Sequence, residues 1–483
     1  MFRILCILLL SLFTNPSFAT PVVATLTAEQ AASELRLLQR ALTELHPGLY
    51  RYITAEKLDA EFARAAIDVA NGIDAVQMYR VASRLAAAVR CGHTWTNPLN
   101  QSDAMQARLA ALPVLPVHVR LIGDRMLVTA SSNAGIRTHD EILAIDGRRA
   151  AALIAEMLPY MRADGSSDGK RRSQIDSTVD GGALDRLLPL LHPPVDGRYQ
   201  LRLRDPRGVA RKAAVTATTD KVREATLLAA GLVLPESDAW RFHIDRGVAT
   251  LTLPTFSFWR DDFDWKSFLE RSFDALAAQR IESLVIDLRQ NEGGDDAIGD
   301  ALLSHLIDSP HRLPAPRAES AYERVPYRLA RYLDTWDFDF FDRTDQVVQG
   351  GGRNWLLREQ PADRIIAPVA KPFRGRVVAL IGPRMSSAGY LIARNLKYSG
   401  AATLVGRTTG GNLRGLNGGQ LAWLTLPYSG VAVDIPLLAW MPKTAQPDRG
   451  VDPDIAVVTK VTDVIAGRDV ERERALAWLS RGQ

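Results

Sequence analysis

The sequence predicts a multidomain α/β protein with a helical N-terminal domain, a β-rich middle domain and a C-terminal core of alternating strands and helices. Three patterns carry that prediction. Apolar residues recur at helical spacing through residues 27–90, short alternating segments bounded by turn residues begin near 112, and strands alternate with helices from about 238. At ~150 residues per domain, a chain of 483 residues accommodates about three domains. The boundaries fall at 1–19 for a cleaved leader, 20–105 for the helical domain, 106–235 for the middle domain and 236–483 for the core.

The leader begins "MFR", continues through the apolar "ILCILLLSLF" and ends "TNPSFA", with the small residues Ser17 and Ala19 at cleavage spacing. This order describes a secretory signal cut after Ala19, because a membrane span needs about 20 apolar residues. The expected destination is the periplasm or the extracellular space, with no transmembrane segment after signal removal. Cleavage removes Cys6 and leaves Cys91 alone, which excludes an internal disulfide.

In the helical domain, "TAEQAASELRLLQRALTEL" opens on a Thr-x-x-Gln capping box and stops at His46-Pro47, and two further helical runs start at Thr54 and Ala75. In the middle domain, "LPVHVRLI", "RMLVTAS", "DEILAIDG" and "YQLRLRDPRGVARKAAVTA" read as strands joined by turns. In the core, "GVATLTLPTF", "SLVIDLR", "RVVALIG" and "ATLVG" read as strands. The runs following the first three, "DDFDWKSFLERSFDALAAQ", "DDAIGDALLSHLI" and "AGYLIARNLKYSG", read as helices. Such alternation implies a parallel sheet, whose ligands bind at the carboxyl ends of the strands. Residues 312–365, with "DTWDFDFFDRTDQ", interrupt the pattern as an insertion, a lid or a solvated loop.

A composition 47% apolar and 24% charged is that of an ordinary globular protein. The net charge of +4 is small, and the basic run "GKRRSQ" at 169–174 reads as a solvated loop, so nothing argues for nucleic acid. The histidines show no metal-ligand spacing, and Cys91 has no cysteine partner.

Four segments gather chemistry. "RQNEGGDDAIG" places a glycine pair between strand and helix, where backbone N–H groups can face a ligand or simply make a tight turn. "AVRCGHTW" places His93 in a glycine-loosened loop, whereas His46 and His192 precede proline and fix turns. "VGRTTGGNLRGLNGGQ" lacks the Walker pattern and the dinucleotide fingerprint, so it reads as a substrate-facing loop through Gly410 and Gly411. "RMSSAGYLIARNL" places two serines at a strand-to-helix turn, where a serine either caps the helix or exposes a nucleophilic hydroxyl beside an oxyanion-binding N–H. Ser387, followed by Ala388 and Gly389, suits the nucleophile better than Ser386.

The order "CGHT", "VIDLRQNEGG", "RMSSAGYLIARNL", "ATLVGRTTGGN", "RGVDPDI" resembles the tail-specific, or C-terminal processing, serine peptidase family, on the branch related to tricorn protease and interphotoreceptor retinoid-binding protein. "AGIRTHDEILAIDGRRAAALI" resembles the PDZ-like module of that family. The resemblance implies a crotonase- or ClpP-like catalytic core and hydrolysis of peptide or unfolded protein substrates without metal or organic cofactor. It implies Ser387 as nucleophile, His93 as general base, the N–H of Ala388 and of Gly293 or Gly294 as oxyanion donors, and Asp448 as the acidic residue ahead of "GVDPD". The retinoid-binding relatives keep a non-catalytic peptide- or hydrophobic-ligand-binding protein as the alternative.

The family's usual glutamate is replaced by Tyr390, and its acidic residue before "GHT" by Cys91, a thiol that oxidation could reach. The lysine-dyad branch places its lysine 25 residues after the serine, a position held here by Asn412. Lys397, on the same helix, stands ~15 Å off at ~1.5 Å per residue, so the expected base is histidine, with an acid limb of activity at about pH 6 to 7. The PDZ-like segment, roughly 115–150, is expected to govern substrate choice rather than chemistry.

Overall fold

A six-stranded sheet runs in the order Ile455–Ala456, Thr403–Gly406, Arg376–Ile381, Ser283–Asp287, Val248–Thr252, Arg241–Asp245. All its neighbours are parallel except the last pair. Strands Val248–Thr252, Ser283–Asp287 and Arg376–Ile381 bury their Leu, Ile and Ala residues and most of their Val, as a sheet covered on both faces requires, with polar residues at most of their ends. Helices Trp265–Ala278, Asp296–Ser304 and Ser387–Ser399 form one apolar layer with it, through Leu276, Leu302 and Leu396. On the other side Ala475 and Leu479 of helix Val470–Ser480 cover Val285, Val378 and Leu380. These relationships come from a computed structural model that describes residues 24–176, 182–231, 240–259, 262–350 and 352–481. The leader expected at 1–19 lies outside the described residues.

The first helix spans Ala28–Leu45, and both halves of its capping box are present: Gln30 N–H donates to Thr27 Oγ1 at 3.2 Å and Thr27 N–H to Gln30 Oε1 at 2.9 Å. Helices Ala55–Asp68 and Ala75–Ala88 are capped by Thr54 and Asp74. Their apolar faces do not close on themselves. Leu35, Leu38, Leu42 and Leu85 share one buried cluster with Leu329, Leu333, Leu424, Val433 and Ile435. Burying each such side chain contributes roughly 1.5–3 kcal/mol. Glu34 adds a polar tie, accepting the Tyr428 and Ser429 N–H groups at 2.6 and 2.7 Å.

The interruption at 312–365 is therefore neither a lid nor a solvated loop. Arg317–Ser320 pairs with Ala439–Met441, Leu333–Asp334 pairs with Leu421–Thr425, and Tyr322, Val325 and Leu329 enter the helical cluster. In the middle region, strands Val117–Ile122, Arg125–Ser131, Glu141–Ile145, Arg198–Arg204 and Ala210–Thr216 form an antiparallel sheet covered by helix Ala150–Met157. Between that helix and the fourth strand the chain leaves the sheet, and residues 162–170 pack against the loops at Gly92 and Ser386.

Candidate active site

The strand Arg376–Ile381 ends in a turn that delivers two serines to the start of helix Ser387–Ser399. Ser386 occupies the cap position, yet its hydroxyl caps nothing. It donates instead to the Glu292 carbonyl at 3.1 Å. Ser387 has φ +50°, a left-handed conformation unusual for a side-chain-bearing residue and characteristic of a strained nucleophile elbow. Among the described residues no group accepts the Ala388 N–H, an orphan donor at the positive end of the helix.

The loop after Ser283–Asp287 comes up against this turn. Buried Asn291 anchors it, donating to Leu253 O at 3.0 Å and accepting the Gly293 N–H at 2.9 Å. Gly293 lies at φ +117°, where only glycine sits without strain, and a Cβ there would come within 3.0 Å of Ala388 N. The Gly293 N–H is thus engaged, whereas the Gly294 N–H has no acceptor among the described residues. Of the two glycines expected as donors, Gly294 is the free one. Gly410 and Gly411, expected to face substrate, instead donate their N–H groups to Met385 O at 2.8 and 3.0 Å and brace the serine turn from behind.

His93 follows the end of helix Ala75–Ala88 in a loop held from every side. Thr94 Oγ1 bonds His46 Nε2 at 2.9 Å, so His46 fixes the loop as well as its own turn. Gly92 N–H donates to Asp164 Oδ1 at 2.8 Å, and Arg162 Nη1 donates to Gly92 O at 2.5 Å. The His93 ring packs on Gly418, and its Nδ1 is buried without a partner. Burial first, then Arg162 and Lys170, lower its pKa to about 4. No hydrogen bond joins His93 to Ser387, and such contacts commonly tighten only with substrate in place.

Cys91 is buried and accepts from Asn417 Nδ2 at 3.3 Å. Burial raises its thiol pKa, so it is an inert packing residue rather than an oxidisable partner of His93. Asp448 does not touch His93. Its carboxylate accepts from Ser166 N at 2.9 Å, Ser166 Oγ at 2.9 Å and Asn412 Nδ2 at 2.7 Å. The carboxylate nearest the His93 loop is Asp164, fully buried, raised in pKa by burial, with Oδ2 unpartnered.

Sequence reasoning missed Arg162, Asp164 and Lys170. The basic run at 169–174 is not solvated, since Lys170 is 1% exposed and Arg171 7%. Arg162 bridges the His93 loop and the glycine loop, with Nη2 on Glu292 Oε2 at 3.0 Å and Nη1 on Gly92 O. Lys170 Nζ reaches Ser386 Oγ at 3.2 Å, so a lysine does stand beside the serine pair, although not the one nearest in sequence. The surrounding stretch "RADGSSDGK" reads as an ordinary polar loop and carries no local signal of burial. Among the described residues no group of three His, Cys, Asp or Glu could hold a metal, and no helix is long and apolar enough to cross a membrane.

Residues 247–457 match the model of peptidase family S41. No curated protein sequence matches the chain. Among solved structures, mature CPAF complexed with lactacystin shares 16% identity, with 94% of this chain and 97% of that one covered and a TM-score of 0.58. Mature CPAF alone gives 16% identity, 90% and 94% coverage and a TM-score of 0.56, a likeness of fold. The photosystem II D1 C-terminal processing protease gives 14%, 88% and 93%, at a TM-score of 0.39. The matched segment, residues 247–457, spans the parallel sheet, the glycine loop and the serine turn and is a peptidase family S41 domain, which makes the protein a serine-type peptidase.

Proposed function

We propose that this peptidase acts outside the cytoplasm on peptide or unfolded protein chains, with Ser387 as nucleophile and His93 as general base. Ser387 Oγ attacks the scissile carbonyl while neutral His93 takes its proton and returns it to the leaving amine. The developing oxyanion is held by the N–H groups of Ala388 and Gly294. The observation that carries this reading is Ser387 itself, at φ +50° on a strand-to-helix turn beside two unpartnered backbone donors. Export rests on the charged, apolar and small-residue order of residues 1–19. In this reading the middle sheet is a PDZ-like module that adds affinity for chain ends by strand addition at its edge.

A fluorophosphonate probe tests it directly. Wild type labels on a peptide containing Ser387, and Ser387→Ala removes both label and turnover. Labelling that survives Ser387→Ala would exclude this nucleophile.

A further inference from the structure

We infer that Lys170, carried by the middle domain, is a positioning residue for peptide-bond hydrolysis: it clamps the nucleophile turn to the oxyanion loop. The inference rests on the assignment of Ser387 as nucleophile. An ammonium group has three N–H donors, and Lys170 Nζ has three partners. Two belong to the serine turn, Arg384 O at 2.8 Å and Ser386 Oγ at 3.2 Å. The third is Glu292 Oε2 at 2.9 Å, one residue before the glycine pair. Lys170 therefore fixes two segments relative to each other, and that relative placement sets where the Ala388 and Gly294 N–H groups point.

Its own backbone is not free to move. Lys170 sits on helix Asp168–Ser173, 1% exposed, and the stretch leading into that helix is pinned by Gly165 N–H on Arg90 O at 3.0 Å and by Ser166 on Asp448. Lys170 is also unsuited to the role of base. It is paired with Glu292, and the hydroxyl it touches donates its proton away, to Glu292 O. Ser386 thereby accepts from Lys170 and passes the constraint to the oxyanion loop, which explains why this hydroxyl leaves the helix cap unmade.

The charged and titratable groups facing Lys170 are Glu292 from the oxyanion loop, Arg384 from the serine turn, Arg162 and Asp164 from its own domain, and His93. Burial lowers its pKa to about 8, against the opposing pull of Glu292. The clamp needs the charged form, so turnover falls as pH rises through about 8.

The test measures kcat, KM and fluorophosphonate labelling across pH on the full chain, for wild type, Lys170→Met, Lys170→Arg and Ser386→Ala. Misplacing reacting groups by ~1 Å costs up to ~10²-fold, so Lys170→Met is expected to lower kcat by ~10 to 100-fold with KM within about twofold, and to lose the alkaline limb. Lys170→Arg keeps the charge, recovers most of kcat and moves that limb to higher pH. Ser386→Ala loses less, and Ser387 still labels. Unchanged kcat, or an unchanged alkaline limb, in Lys170→Met overturns the inference. Should Lys170→Met fail to fold, the alkaline limbs of Lys170→Arg and wild type decide, and coincident limbs overturn it. Loss of labelling in Ser386→Ala would instead overturn the nucleophile assignment.

Discussion

A Cβ at position 293 would stand 2.7 Å from the Cβ of Ser387, closer than real side chains approach. The glycine loop and the serine turn touch at that point, and the two neighbouring glycines should respond differently to substitution. In the proposed mechanism Gly293→Ala pushes on Ser387 and the Ala388 N–H, so it should lose ~10² to 10³-fold in kcat, the scale of a lost oxyanion donor, together with a smaller loss of melting temperature than Gly294→Ala shows. Gly294→Ala would meet Phe256 backbone atoms at 2.0 Å, from φ +135°, and should lower the melting temperature outright. Calorimetry beside steady-state kinetics separates the two, and equal effects on stability would contradict the geometry.

The pH profile should reach further into acid than an ordinary histidine allows. In the proposed mechanism His93 is the base and must be unprotonated, and its pKa is lowered from 6.5 to about 4 by burial, Arg162 and Lys170. Lowering means that His93 stays neutral until pH falls through about 4, so kcat/KM should hold at pH 5 and collapse near 4, not at 6 to 7. Arg162→Met should move this limb upward, because one cation that disfavours the imidazolium is gone. His93→Ala should cost ~10² to 10⁴-fold in turnover at every pH.

Asp164 and Asp448 make opposite demands on the same experiment. Asp164 holds the backbone of the His93 loop through Gly92, whereas Asp448 holds Ser166 and Asn412. Asp164→Asn should therefore lower kcat by ~10 to 100-fold through misplacement of the base, and Asp448→Asn by less than about tenfold. Parallel kinetics of the two variants check this. A larger loss for Asp448→Asn would restore it as the acidic residue serving His93.

Export is tested by intact mass. Protein recovered from an exporting host should begin at Thr20, and retained Met1 in correctly localised protein would count against a cleaved leader.

Features written within a few residues were legible without coordinates. The Thr27–Gln30 capping box, the apolar strands Ser283–Asp287 and Arg376–Ile381, and the serine pair between strand and helix depend on side chains and backbone next to one another. The same locality explains why His93 stood out among the histidines. What could not be read was every relationship between distant segments. Lys170 meets Ser386 across 216 residues, Asp164 meets Gly92 across 72, and two strands of 312–365, Arg317–Ser320 and Leu333–Asp334, find partners beyond 416. "GKRRSQ" looked solvated because a cation is normally left in water unless a carboxylate waits for it inside, and Glu292 lies more than a hundred residues further along. The acid limb followed the same rule. An unperturbed imidazole is a property of histidine, but its displacement to about 4 is a property of burial and of two cations that only the folded chain brings near.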